Sequence, residues 1–419
     1  MNTGMKPRAA TVLLAMLLLG VWAAPGLAAD FYGSSKTLSS VFEESWLGRD
    51  TSRFSIYEYA DVHAQEFGVS GLTLHFSGWG RWDAADTENE DQEQPGDANL
   101  TYAYLQWQGL DGLVDAKLGR HFVVSGPTAE IMDAADLLLT PFCGFNVRMF
   151  GGMPAYSRIG ERDGDFAWGA RVSYDYKGYF ELGAAYGAGL EKHRWDRNNV
   201  GGDLRIAPVK YVDLVGHVWF SQIYQEVYDA TGQLNLYPVN DLRVTGSYTH
   251  LFPSAFLGAM NYFSVFSAET LDIAEAELSY LILNRVRAIG GFAGYTYDEA
   301  DNASRPGGGL ELLWGASRGN VLGGRYYRLD RGDNGYSEIR AYLYQGMFDK
   351  AHVAVNSNLY QLDNEIYGVD QAFDGDLSLG YAITKKLGVQ ATGIYRATPY
   401  YDSDVRGLLK ITYNVERWL

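Results

Sequence analysis

A single cysteine, Cys143, stands among 419 residues. It excludes an intramolecular disulfide, any two-cysteine zinc site and covalent haem attachment through C-x-x-C-H. No cysteine lies beside the N-terminal apolar segment, so lipoprotein anchoring is excluded too. Beyond that segment no apolar run reaches about eighteen residues, which excludes a helix long enough to span a bilayer. Basic residues are scarce, 34 against 51 acidic, for a formal charge of −17. So acidic a chain has no general affinity for nucleic acid. Catalytic signatures are missing as well: there is no G-x-S-x-G elbow, no H-E-x-x-H, no Gly-rich phosphate loop and no EF-hand loop. The 7 histidines are scattered without metal-ligand spacing. The reading is a non-enzyme with no cofactor of its own.

Among what is present, the first residues set the compartment. Lys6 and Arg8 precede an apolar run from Ala9 to Ala24, and Pro25-Gly26-Leu27-Ala28-Ala29 follows with small residues. This is the pattern of a secretory signal, residues 1–29, cleaved after Ala28 or Ala29. Without Lys6 and Arg8 the formal charge falls from −17 to −19. A short segment, 30–50, then leads into a body at 51–419.

That body alternates with period two. In "AHVAVNSNLYQ", Ala351, Val353, Val355 and Leu359 share one parity, while His352, Asn356 and Asn358 share the other. Val212, Leu214, Val218 and Phe220 alternate in the same way with Asp213, His217 and Ser221, and Leu387, Val389, Ala391 and Tyr395 with Gln390, Thr392 and Arg396. Such segments run about ten to thirteen residues. Soluble strands average about 5–6 residues, whereas a tilted membrane strand needs about 9–11. One face is therefore assigned to lipid and the other to a lumen.

Connections alternate as well. Short turns at 109–112, 175–179, 207–210, 238–241, 345–350 and 384–386 are interleaved with longer polar stretches at 83–98, 124–141, 153–164, 191–199, 298–306 and 363–370. This is the rhythm of tight periplasmic turns and larger outer loops. The acidic stretch "DAADTENEDQEQPGDAN" is the clearest outer loop: a solvated segment, or one that meets lipopolysaccharide through divalent ions. The phase of long and short connections fails between 250 and 285, so either "HLFPSAF" or "LILNRV" is misread, or a strand lies within Phe31 to Phe42.

Aromatic residues are abundant, with 31 Tyr, 19 Phe and 10 Trp. Tyr57, Tyr59, Trp79, Trp82, Tyr326, Tyr327, Tyr400 and Tyr401 fall near strand ends, where rings suit the headgroup level. Mean hydropathy is nonetheless slightly negative, as expected when only alternate residues touch lipid. The expected fold is all-β: a transmembrane antiparallel up-and-down β-barrel of about 20 strands, within roughly 18 to 22. It would lie in a Gram-negative outer membrane, in contact with lipid and lipopolysaccharide.

The most distinctive stretch is "VDAKLGRHFVVSGPTAEIMDAADLLLTPFCGFNVRMFGGMPAY", residues 114–156. It resembles a segment of large porin-like outer-membrane barrels in which a strand ending in Gly-Arg feeds a loop folded into the lumen. More narrowly, it resembles the barrel subunits of porin-cytochrome electron conduits. The resemblance implies an inserted loop near 124–141 that narrows the pore, with Arg120, Asp133 and Asp136 lining it. It also implies multihaem c-type cytochromes as partners, because Cys143 alone cannot attach a haem. The alternative for Arg120, an ion pair with a neighbouring carboxylate in the wall, stays open.

Polar-face parity adds Glu338, Arg340, Arg396, Arg406 and Lys410 as pore-lining candidates, since an Arg or Lys at the lipid midplane costs about 2–4 kcal/mol. The "RGD" at 331–333 sits among turn formers and reads as chance. The chain ends on an alternating strand, "LLKITYNVERWL", whose Arg417 occupies a place where an apolar residue is usual in such barrels. Three functions remain: a wide polar pore sheathing a multihaem cytochrome, a general diffusion porin, or a non-conducting surface or adhesin barrel. A TonB-type receptor needs a plug before the first strand, and a soluble propeller needs a repeat of about 40–50 residues, which is absent.

Overall fold

The structure is a computed structural model that describes residues 30–46, 49–66, 69–83, 96–141, 143–155, 165–252, 269–298, 300–315, 318–332, 335–348 and 350–418. The expected signal segment, 1–29, and most of the acidic stretch lie outside these residues.

Twenty-two strands follow one another. They are β1 Asp30–Trp46, β2 Arg49–Gln65, β3 Leu72–Asp83, β4 Gly96–Gly109, β5 Val114–Ser125, β6 Thr128–Leu139, β7 Phe145–Pro154 and β8 Phe166–Tyr176. Next come β9 Phe180–Glu191, β10 Arg194–Val209, β11 Val212–Ser221, β12 Glu226–Val239, β13 Leu242–Leu251, β14 Leu271–Ile282 and β15 Val286–Tyr297. The last are β16 Ala303–Trp314, β17 Asn320–Leu329, β18 Tyr336–Met347, β19 Ala351–Ile366, β20 Val369–Ala382, β21 Leu387–Thr398 and β22 Tyr401–Trp418. Each is antiparallel to its sequence neighbour, and β1 pairs with β22 along most of its length, from Phe31↔Trp418 to Trp46↔Tyr401. The sheet is closed. Closure is what a spanning sheet needs, because hydrocarbon cannot satisfy an open edge.

Closure through β1 also explains the failed phase of the connections. The segment at 30–50, expected to lead into the body, is itself a strand and the start of the next. The connection after β13 runs from 252 to 270, while "LILNRV" is the turn between β14 and β15. With β1 counted, the three longest connections, 84–95, 155–165 and 252–270, all fall at one end. The other end carries the described N-terminus, the end of β22 and only short turns, which orients it to the periplasm.

Several expected loops are tight hairpins. Lys192 and His193 both have positive φ, 49° and 64°, as do Tyr367 and Gly368 at 54° and 79°. Two such residues make the turn whose twist matches the flanking strands. At 191–199 and 363–370 the polarity that suggests loops belongs largely to strand ends, whereas in 298–306 the connection occupies 298–302.

Paired residues share a face, so the register sorts every side chain. Val353, Val355, Leu359, Leu377, Leu379, Leu409 and Ile411 fall on one face. His352, Asn356, Asn358, Asp374, Asp376, Arg406 and Lys410 fall on the other. The first face is the lipid surface, rich in exposed Leu, Val, Ile and Tyr. Within the span charge is concentrated on the lumen side; Glu58, accepting from Ser35 and Thr37, is an exception on the lipid side. Tyr57, Tyr59 and Trp79 pair across β2 and β3 with the lumen residue Arg81 on the same face. They therefore face the lumen and not the headgroups, whereas Trp82 points outward.

Candidate functional site: a hairpin folded into the lumen

Among the described residues the wall is interrupted where β4 and β5 part. β4 pairs with β5 only from Gly109↔Val114 to Ala103↔Arg120, although β4 continues up to Gly96. On the other flank, β6 pairs with β7 up to Met132↔Pro154, with one further bond from Ala155 N–H to Ile131 C=O at 2.8 Å. Beyond these points the tip of the β5–β6 hairpin, 121–131, leaves the wall.

Its contacts show where it goes. Gly126, at the tip with φ +56°, lies so close to β9 that a Cβ there would meet the Ala185 Cβ at 2.1 Å and the Trp219 ring of β11 at 3.4 Å. Ala185 and Trp219 are lumen-facing, so the hairpin crosses the inner faces of β7 and β8 to reach them. Val123 and Met132, both fully buried, pack with Ala134, Phe150 and Ala167. The expected inserted loop at 124–141 is thus corrected. The inserted element is a β-hairpin whose inward part is 121–131, and from Met132 to Leu139 the chain is back in the wall. Alternating residues with Gly-Pro at 126–127 read as a turn-bearing loop, but each arm keeps its ladder to the other.

Ion pairs hold the hairpin down. Arg148 of β7 binds Asp136 through Nε at 2.9 Å and through Nη2, and its Nη1 donates to the Val124 carbonyl on the hairpin. His121 sits 3.5 Å from the same carboxylate, and both side chains are nearly fully buried. Arg197 of β10 pairs with Glu130 near the tip. These charges are affordable inside because each carboxylate meets a cation in place of water.

The bend itself is built at Gly119. Its φ of +120° is one that side-chain-bearing residues rarely adopt, and a Cβ would lie 2.3 Å from the Ala103 carbonyl oxygen. Next to it, Arg120 forms a bidentate pair with Asp133, at 2.8 and 3.0 Å. Its Nη1 donates to the Leu100 carbonyl at 3.0 Å, on the stretch of β4 that β5 has left. Arg120 and Asp133 share a parity with Leu105, Leu118 and Met153, so they lie on the outer side of the wall. Arg120, 5% exposed, caps a deserted strand edge. Neither residue lines the pore, which corrects that expectation: the pairing alternative describes Arg120. Asp136 does face inward, but beneath the hairpin.

The remaining candidates all face the lumen. Glu338, 1% exposed, takes Arg305 at 2.7 Å and also Arg340. Asp404 is shared by Arg406 at 2.7 Å and Arg396 at 4.0 Å. Lys410 is exposed in the lumen. The structure brings Glu338 and Arg340 together, and Arg396 with Arg406; the two groups lie on different arcs of the barrel.

Other lumen groups emerge only once the register is known. Glu311 binds Arg287 and Arg325 at 2.7 and 2.9 Å. Arg171 binds Asp203 and, at 2.7 Å, Glu181. On β1 to β4 a row of rings runs around the inner wall, Tyr32–His63 at 5.0 Å, His63–His75 at 5.8 Å and His75–Tyr104 at 4.5 Å between centroids. Their positions in sequence give no hint of this, because each lies on a separate strand. In contrast to the paired arginines, Asp374 and Asp376 accept from the neutral amides of Asn358 and Asn356, and Glu275 from Ser247. No ion pair reaches these three among the described residues.

No protein-family model matches the chain, and no curated protein matches it in sequence. Solved structures do match. A chain of the E. coli P pilus tip assembly intermediate PapC-PapD-PapK-PapG aligns with TM-score 0.52 and 10% identity over 92% of this chain and 61% of that one. The P pilus usher (PapC) translocation pore aligns at 0.47 and 9% identity, over 91% of this chain and 99% of that one. Pseudomonas aeruginosa OccK5 (OpdH) aligns at 0.46 and 10%, over 93% and 99%. At such identities the likeness concerns the fold. The closed wall, with its apolar exterior and polar interior, is that of an outer-membrane β-barrel.

Proposed function

We propose that this barrel is a diffusion pore for small solutes with a preference for cations, its bore set by the inward β5–β6 hairpin. Barrels of 16–18 strands already leave an aqueous channel, so 22 strands enclose more than side chains can fill. The carrying observation is the contrast in lumen charge. Every one of the lumen arginines named above has a carboxylate partner, Glu311, Glu338 and Asp404 each serving two of them and Arg171 meeting both Asp203 and Glu181, whereas Asp374, Asp376 and Glu275 are held by uncharged donors. Carboxylates of that kind present negative charge to the passage on their own arcs of the wall, which concentrates cations there and repels anions.

A second reading is a sheath around a multihaem cytochrome, as the resemblance of residues 114–156 implies. Its support is the width of a 22-stranded lumen, which is more than a small solute requires. One preparation separates the two. The protein is extracted from outer membranes in mild detergent, its haem absorbance is recorded, and the barrel is placed in a planar bilayer under a KCl gradient. The diffusion reading expects open conductance, a reversal potential on the K⁺ side and no haem. Haem that co-purifies with little open conductance would overturn it in favour of the sheath, and absence of both would leave a surface barrel.

A further inference from the structure

The hairpin that narrows the lumen also opens the wall beside it. Among the described residues β4 pairs from Gly96 to Tyr102 with β3 alone, since the strand that should cover its other edge has turned inward. In this stretch the Leu100 carbonyl accepts from Arg120 and the Ala98 N–H donates to Asp97 Oδ1 at 2.8 Å. Trp82, paired with Gly96 and exposed on the outside, marks the ring level expected at the outer interface. The deserted edge runs from that level toward the middle of the wall, inside the hydrocarbon layer.

Two features converge on this opening. Outside it, the lipid face is dented into a groove of about 560 Å³ lined by Leu105, Trp107, Leu118, Leu137, Met149 and Phe166, among others. Inside it, β5 carries its lipid-facing parity through the bend. Leu118, 63% exposed, belongs to the outer wall, and the next apolar positions on the same face are Phe122 and Val124, 46% and 48% exposed. Val123, on the opposite face of the strand, is the one packed against the inner wall. The face bearing Phe122 and Val124 is therefore turned away from that packing, with Ala129 and Ile131 of β6 beside it. A strip of apolar positions thus leads from the bilayer into a polar lumen, interrupted at the bend by Arg120 and Asp133, which are paired to each other. Water does not reward such a surface, but a hydrocarbon chain does.

We propose that this opening is a binding site and lateral passage for a long-chain amphiphile from the bilayer, whose acyl chain lies in the outer groove and follows Leu118, Phe122 and Val124 past the edge of β4. The route is separate from axial diffusion of ions, and its test does not depend on conductance.

The test uses the full barrel in lipid vesicles with Cys143→Ser as background and three single cysteines: Val124→Cys on the strip, Leu359→Cys on the unbroken lipid face and Asn356→Cys in the lumen. A membrane-impermeant maleimide should label Val124→Cys and Asn356→Cys but not Leu359→Cys. A diazirine analogue of palmitic acid should slow labelling of Val124→Cys several-fold, leave Asn356→Cys unaffected and form photo-adducts on residues 118–131. If Val124→Cys is as silent as Leu359→Cys, the hairpin lies in the wall and the opening does not exist. If it reacts but the analogue neither slows it nor forms adducts beyond residue 120, the opening is there and the amphiphile is wrong. A further variant, Phe122→Asp, keeps an exposed position exposed and should abolish the adducts, and adducts that persist at full yield would refute the strip as the route.

Discussion

Freeing the hairpin should change conduction by an amount that the structure sets. The sharpest perturbation is Arg197→Gln, which removes the cation from Glu130 near the tip. Removing one partner of a fully buried pair costs about 3–5 kcal/mol, and a surface pair is worth about 0–1 kcal/mol. These side chains keep 25% and 21% of their exposure, so an intermediate loss of about 2 kcal/mol is expected. At about 1.4 kcal/mol per tenfold, docked and released hairpin should shift by about thirtyfold. In single-channel records this appears as thirtyfold longer residence in a higher-conductance level. Met132→Ala attacks the same docking by another route, since deleting a buried Met side chain costs about 2–5 kcal/mol, and it should populate the same level. The double change Glu130→Gln with Arg197→Gln should recover part of the loss, because no buried charge is then stranded. Heat-modifiable gel mobility confirms that each variant is folded. Folded variants whose conductance levels and occupancies match the parent would refute the hairpin as the constriction.

Other consequences are simpler to state. Asp374→Asn with Asp376→Asn should lower the K⁺ over Cl⁻ preference, read as a shift of reversal potential toward zero in a KCl gradient; an unchanged potential would exclude these carboxylates as the source of selectivity. Gly119→Ala places a Cβ against the Ala103 carbonyl at a strained φ, so it should cost about 1–3 kcal/mol and lower the unfolding temperature, with loss of the Arg120 cap as a secondary effect. Leu377→Arg on the lipid face should destabilise by about 2–4 kcal/mol, whereas Asn356→Arg on the lumen face of the neighbouring strand should cost far less; urea titration of the folded band in lipid compares them. Glu58→Leu removes a carboxylate from the lipid face and should raise resistance to unfolding, unless a partner in the membrane uses that group.

What could be read from the sequence followed the period of two. The parity that separates Val353 and Val355 from His352 and Asn356 is local, and the structure keeps it. Length of alternation likewise points to membrane strands, but β1 gives a weak signal because its outward row, Gly33, Ser35, Thr37 and Ser39, is small and polar where lipid-facing residues are usually large and apolar. The lumen side of Glu338, Arg340, Arg396, Arg406 and Lys410 followed from the same local rule. Parity alone, applied to β5, also puts Arg120 with Leu118 and Phe122 on the outward face. It was the resemblance that drew Arg120 into the pore, and the register that returned it to the edge of β4. The partners of these groups were out of reach. Glu130 meets Arg197 across 67 residues and Arg171 meets Asp203 across 32, and such pairs depend on which strands become neighbours and on how far one hairpin leaves the sheet. That departure has a local cause in Gly119, yet one glycine before an arginine could equally mark a strand end. Only the ladder, ending on one flank at Ala103↔Arg120 and on the other at Met132↔Pro154, distinguishes a strand that stops from one that turns inward and takes its lipid-facing side chains along.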